Sequence, residues 1–227
     1  MTALLIRTST LDYAEAWRLQ RQLAASRQSG DVPDICWLLE HPPTYTYGRN
    51  ATRTDLFESD PSLARRGASC HAVDRGGQMT WHGPGQTTGY LIWNLRPRNR
   101  VRDFVCALAL AMGDATELGE LTTDEGHGPG LYRHGRKLGS VGLRVQGGVT
   151  THGFALNRDV DLDWFSRMTA CGAPEIAATS IAAEGGNPDR ATVESRLIEA
   201  LAERLDTSFA EVSLTSLVAP RPAVTSP

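Results

Sequence analysis

Apolar and polar positions change period repeatedly along this chain. ALLIRT (3–8) reads as a short strand, and over 12–28 the apolar positions Tyr13, Ala16, Trp17, Leu23 and Ala24 fall on one side of a helix. ICWLLE (35–40) is a continuous apolar run of strand length that Pro42 and Pro43 bring to a stop. A polar excursion covers 50–69. A short strand follows Cys70, and TTGYLIWNL (87–95) is β-branched and aromatic enough for another. Over 101–118, Val101, Phe104, Val105, Leu108 and Met112 predict a helix with one buried face. Two or three strands joined by glycine turns, Gly147-Gly148 among them, are expected over 130–157, and a short helix over 161–168. The last clear element is a helix near 188–206, with Asn187 or Thr192 as cap and Val193, Leu197, Leu201 and Leu205 on one stripe. Strands follow one another between 130 and 157, so strict strand–helix alternation fails. The expected fold is α/β (α+β), a mixed β-sheet flanked by helices. It would form one catalytic-sized domain over 1–212, followed by a proline-rich, disordered tail over 213–227.

Composition narrows the function classes. With 227 residues, 41% hydrophobic and 22% charged, the chain has an ordinary globular balance, and its net charge of −3 lacks the basic excess of a nucleic-acid binder. No apolar run approaches the length of a membrane span, and the start MTALLIRTST lacks a signal-peptide pattern. A cytoplasmic protein, with no membrane partner, is expected. Cys36, Cys70, Cys106 and Cys171 contain no C-x-x-C pair and are expected to be free thiols. Cys36 and Cys106 lie in apolar patterns and read as buried fillers, whereas Cys171 sits in the loop TACGAP.

Of the 23 cationic Lys and Arg positions, one, Lys137, is lysine. Codon bias is one explanation. The other is chemical, since an ammonium can surrender its proton when desolvated and a guanidinium cannot. RGGQMTWHGPGQ (75–86) is the densest glycine and proline run, either a complicated turn or a loop whose backbone approaches a ligand. Neither G-x-x-x-x-G-K-[ST] nor G-x-G-x-x-G occurs, so no nucleotide loop is advertised. His82 and His152 lack further ligands at metal-binding spacing and read as hydrogen-bonding groups around a pocket. His41, His71, His127 and His134 read as turn or surface residues. A cysteine nucleophile needs its thiolate favoured, which a nearby lysine can do. Spacing alone does not bring Lys137 to Cys171.

LLEHPPTYTYGR (38–49), RGGQMTWHGPGQ (75–86), KLGSVGLRV (137–145), THGFALN (151–157) and ACG (170–172), in this order, resemble the lipoyl(octanoyl) transferases. These enzymes move an octanoyl group from acyl carrier protein to lipoate-dependent proteins. The resemblance extends from about residue 4 to 206. It implies a biotin/lipoate-protein ligase-like, class II synthetase-like catalytic domain. It also implies that Cys171 takes the acyl group as a thioester and that Lys137 lowers the pKa of that cysteine. By the same resemblance Arg75, Gly76, Gly77, Gln78, Met79, Thr80, Trp81 and His82 form a substrate-binding loop. Ser140, Val141 and Gly142 form a second binding segment, and Gly153, Phe154 and Ala155 a third, with His152 in support. Val141, Phe154 and Leu156 are either tunnel lining or plain strand core.

The implied reaction needs no ATP and no metal, since the acyl donor carries its own phosphopantetheine thioester. The implied partners are octanoyl-acyl carrier protein as donor, and as acceptors the lipoyl domains of 2-oxoacid dehydrogenase complexes and the glycine cleavage H protein. The enzyme is expected to be a monomer. The arginines of RPRNRVR (96–102) and Arg65-Arg66 are candidate docking groups for the acidic partners. Two departures from the family pattern stand out: Ala170 replaces the usual proline before the cysteine, and Trp81 replaces a smaller aromatic. An ATP-dependent ligase is the rival reading, but it gives Cys171 no task. A carrier-binding protein without turnover would leave both Lys137 and Cys171 idle.

Overall fold

A computed structural model describes residues 1–95, 100–123, 128–169 and 176–218. β1 (Thr2–Thr10) leads into α1 (Tyr13–Ser29), whose first turn is capped by the Asp12 carboxylate accepting from Glu15 N at 3.1 Å. There follow β2 (Ile35–Glu40), β3 (Thr44–Tyr47), α2 (Asp60–Arg65), β4 (Ser69–Ala72), β5 (Met79–His82) and β6 (Gln86–Ile92). Then come α3 (Val101–Thr116), β7 (Leu121–Thr122), β8 (Gly130–Arg133), β9 (Arg136–Gln146) and β10 (Val149–Asn157). The chain closes with α4 (Arg190–Arg204), β11 (Ser208–Glu211) and α5 (Leu214–Val218).

Eight strands form one mixed sheet in the order β11-β1-β2-β6-β10-β9-β8-β7, parallel among β11, β1 and β2 and antiparallel from β2 onward. The continuous apolar run of β2 is explained by burial on both faces. Ile35, Trp37 and Leu39 pack beneath α1 with Leu19 and Leu23, while Cys36 and Leu38 pack toward α3 and α4 with Phe104, Leu108 and Leu197. A second sheet, β4-β3-β5, lies apart from the large one.

Several elements differ from the sequence pattern. β3 begins directly after the two prolines that were expected to end regular structure, pairing through Thr44–Tyr47 with both β4 and β5. The polar excursion contains α2, where Pro61 near the helix start costs no hydrogen bond and Leu63 is buried. Met79–His82 is a strand inside the glycine-rich run. The cap of α4 is Asp189, which accepts from Thr192 N at 2.8 Å, so neither Asn187 nor Thr192 holds that place. The stretch 161–168 forms a 3-10 turn, Leu162–Arg167. Cys106 is exposed, because it lies on the side of α3 away from Phe104, Leu108 and Met112. The tail expected from residue 213 instead starts with α5, whose Leu214, Leu217 and Val218 pack on the layer under α1. Residues 219–227 lie outside the described residues.

β6 and β10 approach so closely that a side chain cannot enter between them. A Cβ at Gly153 would lie 2.0 Å from the carbonyl oxygen of Gly89. Gly153→Ala is therefore expected to lower unfolding stability by about 3 kcal/mol, the upper end for overpacking, as read from urea denaturation. An unchanged midpoint would mean that the two strands can separate at little cost.

Candidate active site

Three connected spaces lie between the small sheet and the β9–β10 face of the large one. The inner cavity, about 40 Å³, is lined by Tyr13, Arg75, Thr80, His82, Tyr90 and His152 together with Ser140–Gly142 and Gly153–Ala155. It has room for water rather than for an acyl chain. The outer cleft, about 340 Å³, shares Arg75, Ser140 and Val141 with it and adds Gly77, Gln78, Met79 and Lys137. A side pocket joins Lys137, Ser140, Met79 and Thr80 to Met168 and Ile176.

Lys137 reaches the cleft because of a bulge. Leu131 pairs with Gly139 but Tyr132 pairs with Lys137, so Leu138 is the extra residue on β9. Leu138 and Gly139 both turn toward the α3 side, where Leu138 joins the main core and a Cβ on Gly139 would meet Met112. Lys137 thereby falls on the same side as Ser140, an arrangement that regular alternation forbids. Its side chain is buried, with Nζ 5.1 Å from the centre of the Tyr132 ring.

Arg75 is also buried. Its Nη2 donates to the carbonyl of Thr46 at 2.9 Å and to Thr46 Oγ1 at 2.8 Å, and its Nη1 donates to the carbonyl of Gly76 at 3.1 Å. The glycine loop is pinned from two sides, by Gly76 N donating to Leu143 O and by Asn50 N donating to Gly77 O. Of the expected binding residues, Gly77, Gln78, Met79, Thr80, His82, Ser140, Val141, Gly142, Gly153, Phe154 and Ala155 all line one or more of the three spaces. Gly76 and Trp81 line none of them. Trp81 turns to the opposite face of β5, stacking on Trp164 at 5.8 Å. Leu156 is core, fully buried under α3. Cys171 and Ala170 lie outside the described residues, as do His127 and 96–99 of the arginine cluster. Arg66 sits 3.5 Å from Glu58.

The histidines are hydrogen-bonding groups. His41, expected at a surface turn, is fully buried: Nδ1 donates to Leu11 O at 2.7 Å and Nε2 accepts from the Tyr90 hydroxyl at 2.6 Å. Burial pushes its pKa down to about 4. His82 Nδ1 donates to Gln86 Oε1 at 2.8 Å, and burial holds this ring well below the ordinary histidine range. From Gln86 the bonding continues. Gln86 Nε2 donates to Asn157 Oδ1 at 2.9 Å, Asn157 Nδ2 donates to Thr179 O at 2.9 Å, and Thr179 N donates to Lys137 O at 2.9 Å. The HGPGQ loop is thus wired to the backbone of Lys137.

His152 occupies a left-handed conformation, φ 60°, in the middle of β10. Its N–H leaves the sheet to meet Gln20 Oε1 at 2.7 Å, while its Nε2 lies 2.8 Å from Asp74 Oδ1. A non-glycine residue in this conformation persists only where its surroundings over-determine it, and such strain concentrates at functional sites. Burial lowers the His152 pKa even against the opposing pull of Asp74. Tyr13, Thr46, Tyr90, Gln86 and Asn157 belong to the site or its hydrogen-bond network without a role read for them in the sequence, and His41 joins them against its reading as a turn or surface residue. Gln86 and Asn157 close two of the quoted motifs, and that is the signal that marks them. Among the described residues no group of three or more His, Cys, Asp or Glu is arranged to hold a metal ion, and no helix is long and apolar enough to cross a membrane.

Comparison with known proteins gives the family and the fold. Residues 12–202 match the family described as the lipoyl protein ligase A/B catalytic domain. An octanoyltransferase of Rubrobacter xylanophilus is 38% identical, the match spanning 85% of this chain and 89% of that protein. An octanoyltransferase of Mycolicibacterium smegmatis is 41% identical over 88% of each. Among solved structures, protein Ta0514 of T. acidophilum with bound lipoic acid superposes with a TM-score of 0.76 at 16% identity, covering 96% of this chain and 93% of that one. Lipoate-protein ligase A bound with ATP gives 0.74 at 15% identity, over 96% and 92%. At such identities the structures speak for a shared fold.

Proposed function

Because the chain belongs to the lipoyl protein ligase A/B catalytic-domain family, and within it to the octanoyltransferases, we propose that this acyltransferase carries octanoyl from octanoyl-acyl carrier protein to a lysine of lipoyl domains through a thioester on Cys171. The acceptors of this reading are the lipoyl domains of 2-oxoacid dehydrogenase complexes and the glycine cleavage H protein. The carrying observation is the bulge at Leu138, which delivers the one lysine of the chain into a pocket shared with Met168 and Ile176. Those residues flank the segment containing Cys171 on either side.

In the first step Lys137 holds the proton taken from the Cys171 thiol, and the thiolate attacks the carbonyl of the donor thioester. The tetrahedral adduct collapses, the carbon–sulfur bond to phosphopantetheine breaks, and the departing thiolate takes the proton from Lys137. An acyl-Cys171 thioester and neutral Lys137 remain. In the second step the acceptor amine attacks that thioester, Lys137 receives the amine proton, and Cys171 leaves as thiolate. The amide product is more stable than either thioester, so the sequence runs without ATP. The outer cleft has a volume in the range of small-ligand sites. Val141 and Met79 offer apolar surface for the chain there, and the loop 75–78, held from both sides, offers a fixed rim.

Intact-protein mass spectrometry tests the reading. Mixing with octanoyl-acyl carrier protein is expected to add one octanoyl group, absent in Cys171→Ser and chased onto a lipoyl domain without ATP. Acylation that appears only with ATP and free octanoate would sink the thioester route and make the chain a ligase.

A further inference from the structure

The β9–β10 ladder ends at the pair Gly139–Leu156, two residues short of Lys137 at the start of β9. Beyond that point the edge of β9 is taken over by 177–179: Lys137 N donates to Ala177 O at 2.8 Å, and Thr179 N donates back to Lys137 O at 2.9 Å. Lys137 is therefore held on one side by its pairing with Tyr132 of β8 and on the other by a short connecting segment in place of β10. That segment is tied down by one carboxylate. Glu184, its side chain 4% exposed, accepts from Thr179 Oγ1 at 2.5 Å and lies 2.9 Å from Arg136 Nη2 and 3.3 Å from Arg133 Nη1. Arg133 also donates to the Glu184 carbonyl at 3.1 Å. Arg136 immediately precedes Lys137, Arg133 belongs to the strand opposite, and Thr179 is the hydrogen-bond partner of Lys137 itself. Three residues next to the lysine, one of them bonded to its backbone, thus converge on this one side chain.

We propose that Glu184 is a positioning residue for Lys137, holding its side chain against the Tyr132 ring at the junction of cleft and side pocket. The proposal rests on the reading of Lys137 as proton carrier. A buried carboxylate with two arginines and a hydroxyl gives a rigid clamp, whereas loss of its charge leaves two guanidinium groups competing for water. Small displacements of a proton carrier are costly, because proton transfer demands hydrogen-bond reach of the reacting atoms.

The single lysine supplies a direct probe. In protein grown with ¹³Cε-lysine there is one labelled side chain, and its ε-protons, lying by the Tyr132 ring, are expected to resonate upfield of free lysine. Glu184→Gln is expected to abolish at least half of that displacement and to lower kcat for octanoyl transfer about 10-fold or more, with KM changed less than about twofold. Arg136→Gln removes a half-exposed arm of the clamp and is expected to move both readouts the same way by less. It also serves if Glu184→Gln fails to fold. An unmoved lysine resonance in both variants would overturn the proposal whatever happens to activity. A moved resonance with wild-type kcat would overturn it equally. If Cys171→Ser keeps full transfer activity, the thioester reading fails, while the resonance still decides whether Glu184 places Lys137.

Discussion

Lys137→Arg is expected to lower octanoyl transfer by about 10²–10⁴-fold while the protein stays folded, the usual worth of a positioned acid–base group. Arginine keeps the positive charge but does not release a proton in a protein. Space adds to the effect. Lys137 is buried, with its Nζ over Tyr132, whose side chain packs with Ile176, so a planar guanidinium there has to settle against the same two residues. The two half-reactions separate charge from proton relay. In rapid-quench experiments Lys137→Arg should still form some acyl-Cys171, because a cation continues to favour the thiolate, but should transfer it to the acceptor amine very slowly. Lys137→Met should fail in both halves. Near wild-type turnover in Lys137→Arg would overturn the relay and leave only thiolate electrostatics.

The parts of this site that were legible in the sequence are those whose meaning is local. The one lysine, the glycine loop and the THGFALN strand stand out by residue type and immediate neighbours, which left their roles open until the resemblance to a family implied them. What could not be read there is set by contacts across the chain. The bulge at Leu138 leaves no mark in the hydrophobic pattern, since its consequence appears only when Leu131 and Tyr132 are paired against β9. The relay from His82 through Gln86 and Asn157 to Thr179 joins residues far apart in sequence, each of which is an ordinary polar residue on its own. β3 and β5 escaped notice because four-residue strands beside prolines and glycines carry turn composition, and only pairing with each other makes them a sheet. β11 is a similar case: Ser208–Glu211 is mostly exposed and becomes a strand by adding to the free edge of β1. His41 looked like a turn residue because it precedes two prolines, yet Leu11 and Tyr90 enclose it completely.

That enclosure makes the protein acid-sensitive. His41, His82 and His152 each have a folded-state pKa below the ordinary value of 6.5, with burial the largest cause in every case. The folded state therefore holds them neutral where the unfolded chain takes up protons. Their contribution to stability is complete above pH 6.5 and is lost as the pH falls from there toward each folded-state pKa. The loss is about 1.4 kcal/mol per pH unit for each histidine still neutral in the fold. For His41, pushed down to about 4, this comes to about 2 kcal/mol between pH 6.5 and pH 5, and His82 adds a loss of the same sign. Asp74, held below its ordinary range mainly by its hydrogen bond to His152, loses its contribution only at still lower pH and does not confuse this window. Urea denaturation at pH 7, 6 and 5 should show the decline, and His41→Gln should remove about one histidine's share of the slope. Stability that stays flat from pH 7 to 5 would mean that the cluster admits water and charges without unfolding. The neutral His41 that accepts the hydroxyl of Tyr90, a residue lining the inner cavity, would then have to be given up.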